Sequence, residues 1–284
     1  MADRALLLVL IIAWFGIAIP TTLDGWSYYQ MDRVDRAYSD DHAAFKPSGT
    51  RGHAYGIYGT LMMAVGVVGY SLRRRWHRLE GAGPLRRWLR VHIFLCTLGP
   101  YLVLLHTAFN FGGIVAISFW SMAIVVLSGV VGRYVHARIP RRADGRFVDQ
   151  PLLAQEEEAL LRRLAVETAL PVHQLQTALQ TAGPGRPRGL GSALWYALRL
   201  DLQEGRLLAP IISVVQAETR VDIATWKSLL TTHFRHNAKL ILWQPFTRIF
   251  GLWHVIHIPL ALLMLVILII HIAVATLFGY GLFG

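Results

Sequence analysis

The chain has 284 residues, 54% of them hydrophobic and only 16% charged, and its mean hydropathy is positive; this composition belongs to polytopic membrane proteins and excludes an ordinary soluble domain. The formal net charge of +11 sits in arginine clusters beside apolar segments, which reads as membrane orientation and anionic-lipid contact; with no nucleic-acid motif alongside, nucleic acid is excluded as a partner. Cys96 is the single cysteine, so the chain holds no internal disulfide, no cysteine-ligated cluster and no four-cysteine zinc site, and Cys96 reads as a small buried core residue.

The expected fold is all-α, a polytopic membrane bundle of about five transmembrane helices with a helical cytoplasmic insert. Residues 5–20 form a short apolar run after Asp3 and Arg4; no small-x-small cleavage pattern follows, so it reads as a retained first span. Residues 21–51 form a polar loop in which Asp24, Asp32, Asp35, Asp40 and Asp41 balance Arg33, Arg36, Lys46 and Arg51, a near-neutral composition suited to the outer side. The second span, 52–72, carries Gly52, Gly56, Gly59 and Gly66 along one stripe. That stripe permits close helix packing, a planar cofactor against the same face, or both. His53, at the outer end, reads as an interfacial, solvated histidine rather than a ligand.

Arg73, Arg74, Arg75, Arg78, Arg86, Arg87 and Arg90 then face a single Glu80, the strongest positive cluster in the chain, and the positive-inside rule makes this loop cytoplasmic. The third span therefore runs outward, turns at 110–113, and returns through 114–131 to Arg133, Arg138, Arg141 and Arg142. Ser128 and Gly132 read as helix-contact residues. From 143 to 245 the composition changes: ten of the seventeen acidic residues fall between Asp144 and Asp222. This stretch is the expected cytoplasmic insert, with helices near 152–181 (interrupted at Pro171), 192–204 with Ser192 as N-cap, and 222–242 with Asp222 as N-cap, and with 183–191 as a linker. Residues 207–215, short and containing Pro210, read as packing on the membrane face, with Trp195, Tyr196, Trp226 and Trp243 at the interface. The fifth span begins near Leu252. The domain reading is thus 1–142 for spans one to four, 143–245 for the insert and 246–284 for the last span, in a multi-pass inner-membrane protein with a cytoplasmic amino terminus.

Two spans carry histidines at matched spacing. His92 and His106 lie fourteen residues apart on the third span, and His257 and His271 fourteen apart on the fifth. Fourteen residues of helix rise about 21 Å and return to within roughly 40° of the same face. No Asp, Glu, Lys or Arg lies between the histidines of either pair, and ionisable residues in spans are usually functional. An intramembrane imidazole either bonds a neighbouring carbonyl or binds a ligand, and four in register favour the ligand. Both helices run from inside to outside, so His92 and His257 share the inner level and His106 and His271 the outer. Zinc or copper normally takes three or four close protein ligands; each level offers two, with Cys96 an added donor at the inner level alone. Haem iron needs only two axial imidazoles and room for the ring, and Gly99, midway between His92 and His106, with Gly59 and Gly66 on the second span, are the candidates for that room. His254 is the rival of His257, but its separation of seventeen residues from His271 turns it roughly 100° off the face; it reads as a polar or quinone-site residue.

These pairs, with Gly99 between the first two, resemble the di-haem core of transmembrane b-type cytochromes, with looser relatives in the ferric reductase group. The resemblance implies two b haems, one near each membrane surface, held by His92, His257, His106 and His271, in an electron-transfer subunit of a membrane oxidoreductase complex in a respiratory chain. The expected partners are lipids, other subunits of a redox complex, an outer-side (periplasmic) electron carrier, a cytoplasmic partner at the insert, and quinone as a further cofactor. No flavin- or nicotinamide-binding domain follows the last span, no PEWY-like quinol motif is present, and the insert departs from the usual pattern. Arg90, Arg133 and Arg248 at the inner level and Arg51 at the outer are either propionate partners or solvated arginines at span ends. Two other classes fit the same residues: a non-redox anchor or scaffold, and a proton or metal-ion transporter using the histidines as a relay.

Overall fold

Apolar runs of twenty or so residues without internal charge satisfy their backbone hydrogen bonds within themselves only as helices. The structure, a computed structural model, describes residues 2–113, 115–139, 148, 150–168, 171–173, 176–177, 187–218 and 223–277. Its main elements are α1 (Ala2–Asp24), α2 (Thr50–Arg75), α3 (Leu85–His106), α4 (Val115–Arg138), α5 (Gln150–Thr168), α6 (Leu190–Glu218) and α7 (Ile223–Leu277). The protein is all-α and multi-pass: five helices among the described residues are long and apolar enough to cross a membrane, Asp3–Asp24, His42–Arg75, Leu85–His106, Ala116–Arg138 and Leu230–Leu277. Large apolar side chains on them, such as Ile12, Leu127 and Ile269, are exposed, as lipid-facing residues are. Two compact units divide the chain, one of Met1–Ser128 with His257–Gly284 and one of Gly129–Ile256.

In the first unit α2 and α3 are the most extensively packed pair, and α1 lies against α3. The glycine stripe explains the closeness: a Cβ on Gly59 would stand 2.6 Å from the Gly99 carbonyl oxygen, and one on Gly99 2.6 Å from that of Gly59. Helix α1 is longer than its apolar run because it continues through Pro20. The Thr21 hydroxyl donates to the Ile17 carbonyl at 2.7 Å and the Thr22 hydroxyl to that of Ala18 at 2.6 Å, bridging the turn that proline weakens. At the other end of α1, Asp3 pairs with Arg86 and Arg87 and lies 3.8 Å from Arg90.

Helix α3 stops at His106, five residues before the apolar stretch ends, because Ala108 and Phe109 adopt left-handed φ of 47° and 59°. Such a conformation in non-glycine residues needs outside support. Arg36 supplies it by donating to the Ala108 carbonyl at 2.6 Å, with Arg33 at 3.4 Å from that of Phe109. The surrounding outer segment, with short helical turns at Trp26–Gln30, Arg33–Arg36 and His42–Phe45, buries Tyr28, Phe45 and Ala108 together. Burial pushes the Tyr28 and Tyr29 phenols above the ordinary tyrosine value, Arg36 opposing it at Tyr28.

The second unit is built on residues at helical spacing: Val135 of α4 with Ile139 just after it, Leu161 and Leu164 of α5, Ala193, Ala197 and Leu200 of α6, and Leu230, Phe234, Leu242 and Phe246 of α7 share one core. Three readings change here. Helix α6 begins at Leu190, before Ser192, and runs through Pro210 to Glu218, so the short 207–215 segment is part of a longer helix. Tyr196 lies in the core, so it is not an interface residue, and the half-buried Trp243 donates its indole N–H to the Val148 carbonyl at 2.9 Å. Helix α7 is continuous from Ile223 to Leu277, joining the last insert helix to the last span. The Asp222 cap, linker residues 183–186 and residues 178–181 of the first insert helix lie outside the described residues.

Substitution of Gly59 by valine is expected to destabilise the fold by about 1–3 kcal/mol, since a branched chain must displace the α3 backbone. Thermal unfolding in detergent checks this, with Gly16→Ala, where a Cβ meets nothing within 4 Å, as the silent control.

Candidate functional site

All four paired histidines belong to the first unit. His92 of α3 places Nδ1 3.0 Å from the Gly66 carbonyl of α2, and His106 places Nδ1 2.8 Å from that of Gly52. Those two carbonyls are fourteen residues apart on α2, the same interval as the histidines, because the helices run antiparallel with Gly59 against Gly99 between them. A carbonyl only accepts, so Nδ1 carries the proton in both rings and Nε2 carries the lone pair. Helix carbonyls have a second lone pair beyond their intrahelical bond, and glycine leaves it reachable.

On the other side, His257 Nδ1 lies 2.7 Å from the Ser128 hydroxyl of α4. The same hydroxyl lies 2.8 Å from the Val125 carbonyl; with its proton there it accepts from His257, and with its proton on His257 Nδ1 it donates, so this bond orients the ring without choosing its tautomer. Ser128 is therefore a histidine partner as well as a packing residue. His53 is half-buried, with its Nε2 buried and without a hydrogen-bond partner among the described residues.

Between the two histidine levels lies a methionine layer. Met63 of α2, Met122 of α4 and Met264 of α7 are buried together, with Val103 and Phe119 against them. Met264 is midway between His257 and His271, and a Cβ on Gly99 would stand 2.8 Å from Met63 Cγ, so the midpoints of both histidine intervals meet this layer. Gly99 and Gly59 face one another, and the room they leave is taken up by the contact of α2 with α3. Gly66 faces Cys96 Sγ and Leu95, and Gly56 the His106 ring. Cys96 Sγ is 3.6 Å from His92 Nδ1, on the side of the ring that bonds Gly66.

The candidate arginines divide. Arg90 donates to the Asp3 backbone carbonyl and lies beside its carboxylate; Arg51 pairs with Asp24 and covers the Phe45 ring at 5.2 Å. Both are engaged by the chain's own groups. Arg133 and Arg248 are exposed and belong to the second unit. There, too, His254 Nδ1 lies 3.0 Å from the Phe250 carbonyl one turn back, its ring edge-on to Phe250 and Trp253. No group of three His, Cys, Asp or Glu side chains able to hold a metal ion occurs among the described residues. Comparison with protein-family models, curated proteins and solved structures gives no match.

The tautomers are directly measurable. Nitrogen-15 spectra of histidine-labelled protein freed of any bound cofactor should show Nδ1–H, with unprotonated Nε2, at His92 and His106, each assigned by loss of its signal in the glutamine variant. Nε2–H at His92 or His106 is incompatible with the carbonyl bonds.

Proposed function

We propose that His92 with His257 and His106 with His271 are the axial ligands of two b-type haems, and that the chain is the electron-transfer subunit of a membrane redox complex. The supporting observation is the orientation of the α3 imidazoles: each gives its Nδ1 proton to a backbone carbonyl and keeps the Nε2 lone pair, the form in which a histidine ligates iron. The donor set fits. Two imidazoles per level are too few for a bare zinc or copper ion but complete the coordination of an iron already held by four porphyrin nitrogens. When bound, haem supplies an iron that cycles between ferrous and ferric states, and two histidine ligands favour electron transfer over oxygen binding.

The chain's own residues do the rest. Gly66 and Gly52 hold the tautomers of the α3 rings, Ser128 orients His257, and the Met63, Met122 and Met264 layer keeps water and charge out of the space between levels. The levels are about 21 Å apart along the helices, most of the roughly 30 Å hydrocarbon thickness. This supports passage of electrons across the bilayer between a quinone pool or cytoplasmic donor and a redox partner outside. Arginine asymmetry supports a cytoplasmic amino terminus and insert, in the inner membrane. The proton-relay alternative draws on the buried His53 Nε2, which has no hydrogen-bond partner among the described residues.

Visible spectra and haem quantification of single variants separate these readings. Wild-type protein should carry two reducible b haems; His92→Leu and His257→Leu should each lose one spectral component, and His106→Leu and His271→Leu the other, with the remaining haem reporting an intact fold. A colourless, folded wild-type chain contradicts haem binding. Loss of the same component in His92→Leu and His271→Leu contradicts the pairing.

A further inference from the structure

The second unit carries a cavity of about 520 Å³ that is open on one side, within the size range of small-molecule sites. Three elements meet there: Glu157 comes from α5, Arg188 precedes α6 with Gly189 and Leu190 at the start of that helix, and His233, Asn237 and Arg248 come from α7. None of these belongs to the histidine pairs of the first unit.

Three observations at this cavity point to one kind of ligand. His233 is 1% exposed, and neither ring nitrogen has a hydrogen-bond partner among the described residues; a Glu157 carboxylate oxygen is 3.7 Å from Nε2, beyond hydrogen-bond reach. A buried imidazole left unsatisfied on both nitrogens is costly and calls for a partner from the cavity. The second observation is the N-terminus of α6, a 29-residue helix. Its first helical bond runs from the Ala193 N–H to the Gly189 carbonyl at 3.0 Å, so the amides of Leu190, Gly191 and Ser192 precede any intrahelical acceptor. The Ser192 hydroxyl caps none of them, because it bonds back to the Gly189 amide and carbonyl at 2.9 and 2.8 Å. Free amides and the positive end of the helix dipole together favour an anion.

The third observation is charge. Arg188 and Arg248 have exposed side chains with no ion pair among the described residues, so the lining carries two guanidiniums against the single carboxylate of Glu157. A carboxylate ligand has one charge and two oxygens. Two guanidiniums, a helix terminus, the Asn237 amide and an imidazole offer more donors than it can accept, whereas a phosphate presents more oxygens and up to two charges.

We propose that this cavity is a phosphate-binding site, recognising the phosphate group of a small ester through Arg188, Arg248, His233 and the N-terminus of α6. The same chemistry is presented by a soluble phosphate ester and by an anionic lipid headgroup, and the test separates them. Binding of inorganic pyrophosphate to the full-length protein in neutral detergent is measured by calorimetry, and lipid retained from nanodiscs of phosphatidylcholine with or without phosphatidylglycerol is measured by native mass spectrometry. The variants are Arg188→Gln, Arg248→Gln and His233→Gln, with Arg199→Gln, on the exposed face of α6, as the equal-charge control. For a soluble ligand, pyrophosphate should bind saturably, with affinity falling roughly tenfold in each cavity variant and unchanged in the control. For a lipid, retained phosphatidylglycerol should fall in the cavity variants and be displaced by pyrophosphate. The arginine variants alter exposed side chains, so an unchanged melting temperature without ligand will show that folding is intact. No binding of either probe to wild type, or equal binding by the control and the cavity variants, overturns the proposal.

Discussion

An imidazole placed among transmembrane helices must find an acceptor for its N–H or bear the cost of leaving it unpaired, and the first unit is arranged around that constraint. On an apolar helix face the available acceptors are backbone carbonyls, which ordinary side chains shield, and the occasional hydroxyl. On α2 the glycines remove the shield. Gly59 and Gly99 bring the two backbones to within the width of a missing Cβ, and at that separation the Gly52 and Gly66 carbonyls reach the rings of His106 and His92. Packing and tautomer control are therefore the same contact. On the opposite side a single hydroxyl, Ser128, orients the His257 ring.

Both ends of this helix pair are tied down by charge. Asp3 gathers Arg86, Arg87 and Arg90 at one end, while Arg36 and Arg33 hold the carbonyls that follow α3 at the other. Exposed ion pairs contribute little individually. Arg36 matters more, since it donates to the Ala108 carbonyl and thereby supports a backbone turn that non-glycine residues rarely adopt. The helix thus ends with His106 in its last turn, where the ring meets Gly56 and the Gly52 carbonyl. The methionine layer between the levels is apolar, adaptable and free of hydrogen-bonding demands.

Much of this was legible in the sequence. Span length and hydropathy mark the membrane helices, and the fourteen-residue interval marks which histidines share a face. Glycine spacing marks a stripe on α2, although it leaves open whether a helix or a flat ligand fills it; the Gly59 contact with Gly99 shows a helix there. Periodicity names a face and not a partner, which is why the Ser128 bond to His257 and the buried Nε2 of His53 were invisible: each depends on which helix lies opposite. Helix ends were misread for the same reason. Arg36 bonds the turn that ends α3 from 72 residues away in sequence, and α6 runs on through Pro210 to Glu218. The cavity there draws on three helices, and no local motif announces it.

The most direct test of paired histidine ligation is low-temperature electron paramagnetic resonance of the oxidised, purified chain. Two low-spin ferric signals of the bis-imidazole type, integrating to two irons per chain with no high-spin component, are the expected result. A high-spin signal amounting to a full haem, or a folded chain with no ferric signal, would contradict it.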